Sequence, residues 1–287
     1  MVVGRRARCP ASSANLGPGY DTLAVALDLH VEVEVRPARR LTVRAEGQGS
    51  DLPADQTHLA ARVAIDVAGT EGLDIRVRSN IPVARGLGSS AALAAAAAAA
   101  AGSPDPLAVG ARIDGHAENA AASVLGGLVT ATMLGDRAIA ARLPLDEGLA
   151  FVVLVPERPL HTKRARSALP ATVSHEDAAF NLGRMGLLVA GLADRRHLVR
   201  EATEDRLHQR QRTPLFPEAP ALMDGLLAAG ATAACWSGAG PALLAVCDRE
   251  VAEAVRKAGD GLLAQEKVHG TALVLEPDLV GLVVERT

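Results

Sequence analysis

Alternating hydrophobic and polar positions predict several β-strands in the first third of the chain. Residues 29–35 alternate cleanly, which is typical of a strand with one buried face. The same alternation recurs at Leu41–Ala45 and Leu73–Val77. Between these two segments, apolar residues at positions 59, 63 and 67 recur every four residues and predict one face of a helix.

The second half of the chain has a different order of elements. Residues 143–148 combine Pro, Asp, Glu and Gly, and we place a domain boundary there. A strand, then helices, a hairpin, a helix and a final strand follow, which is typical of a ferredoxin-like layout. The predicted elements are strand Phe151–Val155, helices Asp177–Leu192, His197–His208 and Ala219–Ala228, strands Ala231–Trp236 and Ala242–Cys247, a helix from Arg249, and strand Val268–Leu275.

The segment Asn80–Gly102 combines two glycines, two serines and a long run of alanines. Alanine has the highest helix propensity, so the run predicts a helix that Gly102 ends and that Ser89 or Ser90 caps. The first turn of a helix carries unpaired N–H groups at the positive end of the dipole. Glycines just before that turn let a ligand approach the backbone, so the segment has the features of a phosphate cradle.

Three interpretations of this segment stay open on the residues alone. It could be an ordinary loop into a buried helix. Gly86, Gly88 and Ala91 also satisfy the dinucleotide pattern G-x-G-x-x-A, but a linker with Pro82 separates the preceding strand from the glycines. The third interpretation is the triphosphate loop of a kinase. The chain has no Gly-Lys-Ser/Thr, no His-Arg-Asp and no Asp-Phe-Gly, which excludes a Walker loop and a protein-kinase loop.

Composition narrows the class of protein. The chain has 287 residues, of which 49% are hydrophobic and only 2% aromatic, so we expect an aliphatic, alanine-rich core. A net charge of −3 without a basic patch argues against nucleic acid as a partner. No stretch is apolar enough for a membrane span, and the three cysteines show no metal or disulfide spacing. We therefore expect a soluble, cytoplasmic protein.

Two further loops carry polar groups. In Ala11–Asp21, which is dense in Ser, Asn, Gly and Pro, Asn15 and Asp21 could hold the ammonium and hydroxyl of a small zwitterion. On the residues alone, an Asx-turn network that only shapes the loop is the favoured alternative. Gly115–Ala120 contains His116, which on its own is more often a structural hydrogen-bonding group than a catalyst.

These segments together resemble one known family. Residues 82–92, reading Pro-Val-Ala-Arg-Gly-Leu-Gly-Ser-Ser-Ala-Ala, resemble the ATP loop of the GHMP small-molecule kinases. Residues 10–21 are similar to the N-terminal motif of the homoserine kinases in that family. Residues 115–120 resemble the family's Gly-His-Pro-Asp-Asn-Ala, except that Ala117 replaces proline and Glu118 replaces aspartate. Residues 237–241 are similar to its third motif, a glycine loop near the nucleotide.

The resemblance covers nearly the whole chain and implies an α+β protein with the GHMP kinase fold. Residues 1–145 would form the ribosomal-S5-like, ATP-binding N-terminal domain, and residues 146–287 the ferredoxin-like C-terminal domain. ATP would lie on the glycine loop, with contacts from Pro82, Val83, Ala84, Arg85, Gly86, Leu87, Gly88, Ser89, Ser90, Ala91 and Ala92.

The implied activity is the ATP-dependent phosphorylation of L-homoserine to O-phospho-L-homoserine, on the route to threonine. His161–Arg166 resembles the family's Thr-Lys-x-Ala-Arg segment, and Arg212 fits a second arginine that binds the substrate carboxylate. The resemblance implies substrate contacts from Asn15, Asp21, His116, Thr162, Arg166 and Arg212, and catalytic positions at Asn119, His116 and Asp21. An amide such as Asn119 cannot take a proton, but phosphoryl transfer needs mainly positioning and charge neutralisation.

The resemblance also implies Mg²⁺. Many members place a glutamate eleven residues before the position of Asn119, and here that residue is Ala108. We expect Asp114 and the hydroxyl of Ser90 to hold the metal instead. Asp114 would emerge about 120° from the direction of Ala108 on a regular helix. A metal role therefore needs the helix to end before Gly115 with Asp114 turned inward, or a slightly shifted nucleotide. Alternatively, Asp114 only caps or shapes the turn at Gly115 and His116.

Two other functions stay open at this point. A GHMP kinase could phosphorylate another small alcohol, such as a sugar or mevalonate. Ala108 and Glu118 also favour a catalytically silent, GHMP-like binding or regulatory protein. A homodimer is compatible with the sequence and is left open.

Overall fold

The computed structural model describes residues 3–287, and these residues form eleven strands and nine α-helices. In chain order the strands are β1 (Arg5–Asn15), β2 (Gly19–Pro37), β3 (Thr42–Gly47), β4 (Leu73–Ser79), β5 (Leu128–Leu134), β6 (Arg137–Leu143), β7 (Leu149–Pro156), β8 (Ala233–Trp236), β9 (Leu243–Asp248), β10 (Gly270–Leu275) and β11 (Val283–Arg286). The helices are α1 (Leu59–Ala68), α2 (Ser89–Ala101), α3 (Pro106–Asp114), α4 (Glu118–Leu125), α5 (Thr162–Ser167), α6 (His175–Ala193), α7 (Gln209–Arg212), α8 (Ala219–Ala228) and α9 (Ala252–Gln265).

The strands form two sheets. The first has the order β11-β1-β2-β4-β3, with β5 pairing to β2 and β6 pairing to β5. The second has the order β10-β7-β9-β8 and is antiparallel throughout. The boundary near residue 145 falls between β6 and β7, and it stays a prediction. The last strand, β11, returns to pair with β1, so residues 283–286 add to the first sheet.

Helix α2 lies in the centre of the molecule. It packs on β1 and β2 and is flanked by α1, α3 and α4. Its alanines from Ala94 to Ala101 are all buried, which is typical of a helix that is apolar on every side. Because no side chain extends beyond Cβ, the neighbouring elements approach the helix closely. A larger residue would overpack this region at a cost of about 1–3 kcal/mol.

The predicted strands and most helices are present, with bounds shifted by a few residues. Ala219–Ala228 matches α8, and Gly102 ends α2 in the left-handed conformation. Two predictions are wrong. Residues 11–15 belong to β1, and the predicted loop is reduced to a short turn before β2. A strand-like segment is also expected over residues 1–10, and β1 begins within it at Arg5, while residues 1 and 2 lie outside the described residues.

The predicted helix His197–His208 is also wrong, and a buried aspartate explains the difference. Short 3₁₀ turns occupy the region instead. The carboxylate of Asp205 accepts hydrogen bonds from the backbone N–H groups of Leu207, His208 and Gln209. These bonds fix a turn where a helix would have to continue, so a regular helix starts only at Gln209.

Candidate active site

One cavity of about 450 Å³ lies between the two sheets and brings the sequence motifs together. Its lining falls into an apolar group and a polar group, with the glycine loop contributing to the wall. The apolar group is Val31, Ala45, Leu52, Leu59, Val77, Pro82, Val83, Leu93 and Ile113. The polar group is Asn15, Asp21, Asp114, His116, Glu118, Asn119, Thr162, Arg166 and Arg212.

The glycine loop leads directly into α2. The N-cap is Gly88, in the left-handed region at φ 65°, and no side chain bonds to the first turn. The prediction that Ser89 or Ser90 caps the helix is therefore wrong. A Cβ on Gly88 would collide with Ser12 Oγ and lie 3.0 Å from Asn119 Oδ1. Glycine is required here for both conformation and space, and the first N–H groups of α2 stay available for a ligand.

The second half of the chain holds this loop in place. Ser237 Oγ donates to the carbonyl of Gly86 at 2.7 Å, and the backbone N–H of Leu160 donates to the carbonyl of Ala84 at 3.0 Å. Arg85 donates to the carbonyls of Val83, Pro156 and Glu157. The loop thus depends on the second half of the chain for its shape.

The cavity contacts of the predicted ATP segment end before its last two residues. Every residue from Pro82 to Ser90 lines the cavity. Ala91 and Ala92 are fully buried in the body of α2. Neither lines the cavity in the part of the chain that the structure describes. Their side chains pack below the loop, and their role as cofactor contacts stays a prediction.

The turn between β1 and β2 is shaped by Asn15. Its side-chain N–H donates to the carbonyl of Gly238 at 2.9 Å, and its Oδ1 accepts from the backbone N–H of Asp21 at 3.0 Å. Asn15 and Asp21 both have positive φ, a conformation that asparagine and aspartate tolerate better than most residues. These bonds are those of the loop-shaping network, and they turn the carboxylate of Asp21 toward the cavity.

Asp21 meets Arg166 in a bidentate ion pair. Arg166 Nη2 lies 2.6 Å from Asp21 Oδ1, and Nη1 lies 3.0 Å from Oδ2. Nη1 also donates to the hydroxyl of Tyr20 at 2.7 Å. Arg166 comes from α5, whose first residue, Thr162, lines the same cavity. The side chains that the resemblance assigned to the acceptor are therefore adjacent.

Arg212 is a buried cation without a carboxylate partner in the described chain. Its side chain is 2% exposed, and Nη1 donates to the carbonyl of Gly238 at 2.9 Å and to His208 Nδ1 at 3.0 Å. Burial lowers the pKa of Arg212, and the nearby Arg166 lowers it further. A buried charge is costly unless it is paired, so this part of the cavity favours an anion.

His208 holds Arg212 in position. Its Nε2 lies 2.8 Å from the carbonyl of Gly17, so Nε2 carries the proton and Nδ1 accepts from Arg212. Burial lowers the pKa of His208 to about 4, which keeps the ring neutral near pH 7. We did not identify His208 from the sequence, although a histidine four residues before Arg212 is a usable signal for a contact between the two side chains.

His116, Glu118 and Asn119 form a compact cluster at the start of α4. His116 Nδ1 lies 2.6 Å from Glu118 Oε1, and Asn119 Nδ2 donates to the same oxygen at 3.1 Å. Asn119 Oδ1 accepts from Ser12 Oγ at 2.8 Å. Burial alone would lower the pKa of His116, but the hydrogen bond and charge of Glu118 outweigh it, and the pKa is raised. Sequence reasoning treated Glu118 only as a departure and missed that it lines the cavity.

Asp114 lies at the cavity wall, and its role as a metal ligand stays a prediction. It is the last residue of α3, the helix ends at Gly115 with φ 80°, and Asp114 lines the cavity together with Ser90. Burial raises the pKa of Asp114, whereas His116 and a hydrogen bond from Ser90 lower it. Ala108 lies in the first turn of α3 and is not part of the cavity wall within residues 3–287.

The donor set of the cavity fits a divalent cation beside a phosphate. Carboxylate oxygens and a seryl hydroxyl are the ligands that Mg²⁺ prefers. In addition to Asp114 and Ser90, one atom each of Asp21, His116 and Glu118 lie within 4.8 Å of one another. The helix N-terminus at Gly88 supplies N–H groups for phosphate oxygens on the same wall.

Comparison with known proteins decides the family. The chain matches the family models described as GHMP kinases N terminal domain, over residues 56–127, and GHMP kinases C terminal, over residues 187–261. A homoserine kinase of Streptomyces avermitilis is 44% identical over 278 residues, which cover 90% of this chain and 91% of that protein. The chain belongs to the homoserine kinases of the GHMP kinase family. A homoserine kinase of Streptomyces coelicolor is 42% identical over 268 residues, 87% of this chain and 86% of that protein.

Structural similarity agrees with this assignment to the GHMP kinases. The crystal structure of homoserine kinase from Cytophaga hutchinsonii superposes with a TM-score of 0.86 at 26% identity, over 99% of this chain and 98% of that one. The predicted α+β GHMP kinase fold is confirmed. Within residues 3–287, none of the helices is long and apolar enough to cross a membrane.

Proposed function

We propose that this GHMP kinase transfers the γ-phosphoryl group of ATP to the side-chain hydroxyl of L-homoserine, giving ADP and O-phospho-L-homoserine. The observation that carries the proposal is Arg212, a buried cation without an acidic partner among the described residues, in the cavity that the glycine loop also lines. A phosphate cradle and a buried carboxylate-binding group in one cavity suit an acceptor that is an amino or hydroxy acid.

Residues of opposite charge would bind the two charged groups of the acceptor. Arg166 and Arg212 flank the ring of Tyr20, with guanidinium carbons 5.5 and 5.7 Å from its centroid, and both would bind the acceptor carboxylate. Asp21 would receive the ammonium group when Arg166 turns to the carboxylate. A zwitterion thus replaces both halves of the Asp21–Arg166 pair and leaves neither charge unpaired.

The nucleotide would lie along the other side of the cavity. The apolar wall of Val31, Leu59, Val77 and Val83 suits a purine ring, and the N–H groups at the start of α2 suit its phosphates. Thr162 lies beside Arg166 on the wall and would contact the acceptor.

Positioning dominates the transfer step. Asn119 lies next to Gly88 of the glycine loop and His116 groups with Asp21, so both would orient the acceptor hydroxyl toward the phosphoryl group. Asn119 cannot accept a proton, so its contribution is a hydrogen bond rather than base catalysis. Asp114 and Ser90 would hold Mg²⁺, which when bound neutralises phosphate charge and orients the transferred group.

An ADP-release assay with a panel of acceptors tests this proposal. We expect magnesium-dependent release with L-homoserine and at most background release with mevalonate or galactose. Release with another alcohol and not with homoserine would assign the chain to a different GHMP kinase activity. No release with any acceptor, in a folded protein that binds ATP, would indicate a silent binding protein.

A further inference from the structure

Glu118 has a carboxylate oxygen that nothing in the described chain satisfies. The residue is 0% exposed, Oε1 contacts His116 and Asn119, and Oε2 has no hydrogen-bond partner among residues 3–287. Buried carboxylates are normally paired or bound to a metal, because desolvating an isolated charge is expensive. Glu118 lines the active-site cavity, so a cation bound in that cavity would lie next to its side chain.

The position of Glu118 in the cavity is close to the phosphate loop. The next residue, Asn119, has its Oδ1 3.0 Å from where a Cβ on Gly88 would stand. On its other side, Glu118 groups with His116 and Asp21. Glu118 therefore lies where the transferred phosphoryl group would meet the acceptor.

The charged groups around Glu118 within the described chain leave its Oε2 without a cationic partner. Asp21 is already neutralised by Arg166, and His116 contacts only Oε1 of Glu118. Asp114 and Glu118 both line the cavity that the phosphate loop also lines. Carboxylate oxygens are ligands that a hard divalent cation prefers, so a cation beside the phosphates would be attracted to both residues.

We propose that Glu118 Oε2 is a direct ligand of the divalent cation that accompanies the nucleotide. The proposal rests on the proposed function, because the cation arrives with ATP. It also explains how this chain manages with Ala108, which does not line the cavity within residues 3–287: the first turn of α4 supplies a carboxylate in addition to Asp114 at the end of α3. One or two protein carboxylates suffice for a hard cation that phosphate also binds.

Binding of Mn²⁺ in the presence of ADP, followed by electron paramagnetic resonance, tests the proposal without turnover. The variant is Glu118→Gln, whose amide keeps the bonds to His116 and Asn119 but removes the charge. Glu118→Asp keeps the charge and shortens the reach. Glu71→Gln, at an exposed position, is the matched control for a lost surface charge. Circular dichroism confirms that each variant is folded.

We expect Glu118→Gln to weaken nucleotide-dependent Mn²⁺ binding at least about tenfold, since losing even an outer-shell group costs 10–100-fold. The Mn²⁺ affinity of Glu118→Asp should lie between those of Glu118→Gln and the wild type. The Mn²⁺ affinity of Glu71→Gln should equal that of the wild type. Unchanged Mn²⁺ affinity in Glu118→Gln would overturn the proposal. A raised KM for L-homoserine with unchanged Mn²⁺ affinity would overturn it too, and would assign Oε2 to the acceptor ammonium. If the wild type binds no Mn²⁺ with ADP, the proposed function itself fails.

Discussion

Arg166 binds the carboxylate of Asp21 through both terminal nitrogens of its guanidinium group, although the two residues are 145 positions apart in the sequence. The pair joins the β1–β2 turn to α5, and it occupies the place where the acceptor is proposed to bind. Tyr20 adds a third bond to the same guanidinium. An acceptor with both a carboxylate and an ammonium group can exchange with this pair at little electrostatic cost, whereas a simple anion would leave Asp21 unpaired.

Arg166 should act on the acceptor and not on ATP. A charged hydrogen bond is worth about 1.5–3 kcal/mol, so Arg166→Ala should raise the KM for L-homoserine roughly 10- to 150-fold. Arg166→Lys should restore part of the loss, because lysine keeps the charge but not the bidentate geometry. Arg164→Ala, exposed on the same helix, should match the wild type in steady-state kinetics. A change in the KM for ATP alone would show that Arg166 is wrongly assigned.

Protonation of His208 should destabilise the fold in acid. Its pKa is about 4 in the folded protein, against 6.5 for the free side chain. As pH falls, the histidine is therefore protonated in the unfolded state before it is protonated in the folded state. The free energy of unfolding is unaffected by this group above pH 6.5 and decreases between pH 6.5 and pH 4. The loss amounts to roughly 3 kcal/mol at most.

Thermal unfolding measured across this pH range tests the role of His208. His208→Asn keeps an acceptor for Arg212 but cannot be protonated, so its Tm should fall less steeply with pH than that of the wild type. His269→Asn removes an exposed histidine and should leave the wild-type slope unchanged. Parallel curves for the wild type and His208→Asn would mean that His208 does not titrate as inferred.

Asp114 should affect the metal and not the acceptor. Asp114→Asn is expected to lower kcat and to raise the magnesium concentration for half-maximal activity, because one anionic ligand becomes a neutral amide. The KM for L-homoserine should change little. Asp51→Asn, at an exposed position, serves as the control. A magnesium titration of folded Asp114→Asn that overlays the wild-type curve would remove Asp114 from the metal site.

Local patterns in the sequence were sufficient to predict many of the helices and strands. Alternation located β3 and β4, and the alanine run located α2, because these elements follow from side-chain periodicity and propensity. The hairpin β5–β6 and the return of β11 to the first sheet were missed. Both depend on pairing between distant segments, which periodicity does not encode.

The candidate site was only partly predictable. The motifs indicated which side chains meet, and the cavity brings together Asp21, His116, Asn119, Arg166 and Arg212. The sequence could not show that Arg166 pairs with Asp21, or that His208 supports Arg212. It also could not show that Glu118 is buried with a free oxygen, since that depends on packing around α4.

The specificity constant for L-homoserine, compared with those for 4-hydroxybutanoate and 3-aminopropan-1-ol, probes the proposed acceptor site most directly. The first analogue lacks the ammonium group that Asp21 would bind, and the second lacks the carboxylate that Arg166 and Arg212 would bind. Each lost charged contact should lower kcat/KM by roughly 10- to 150-fold, and the loss of the carboxylate should cost more because it involves two arginines. If 3-aminopropan-1-ol is phosphorylated as efficiently as L-homoserine, the arginine pair does not select the acceptor and the proposed site is wrong.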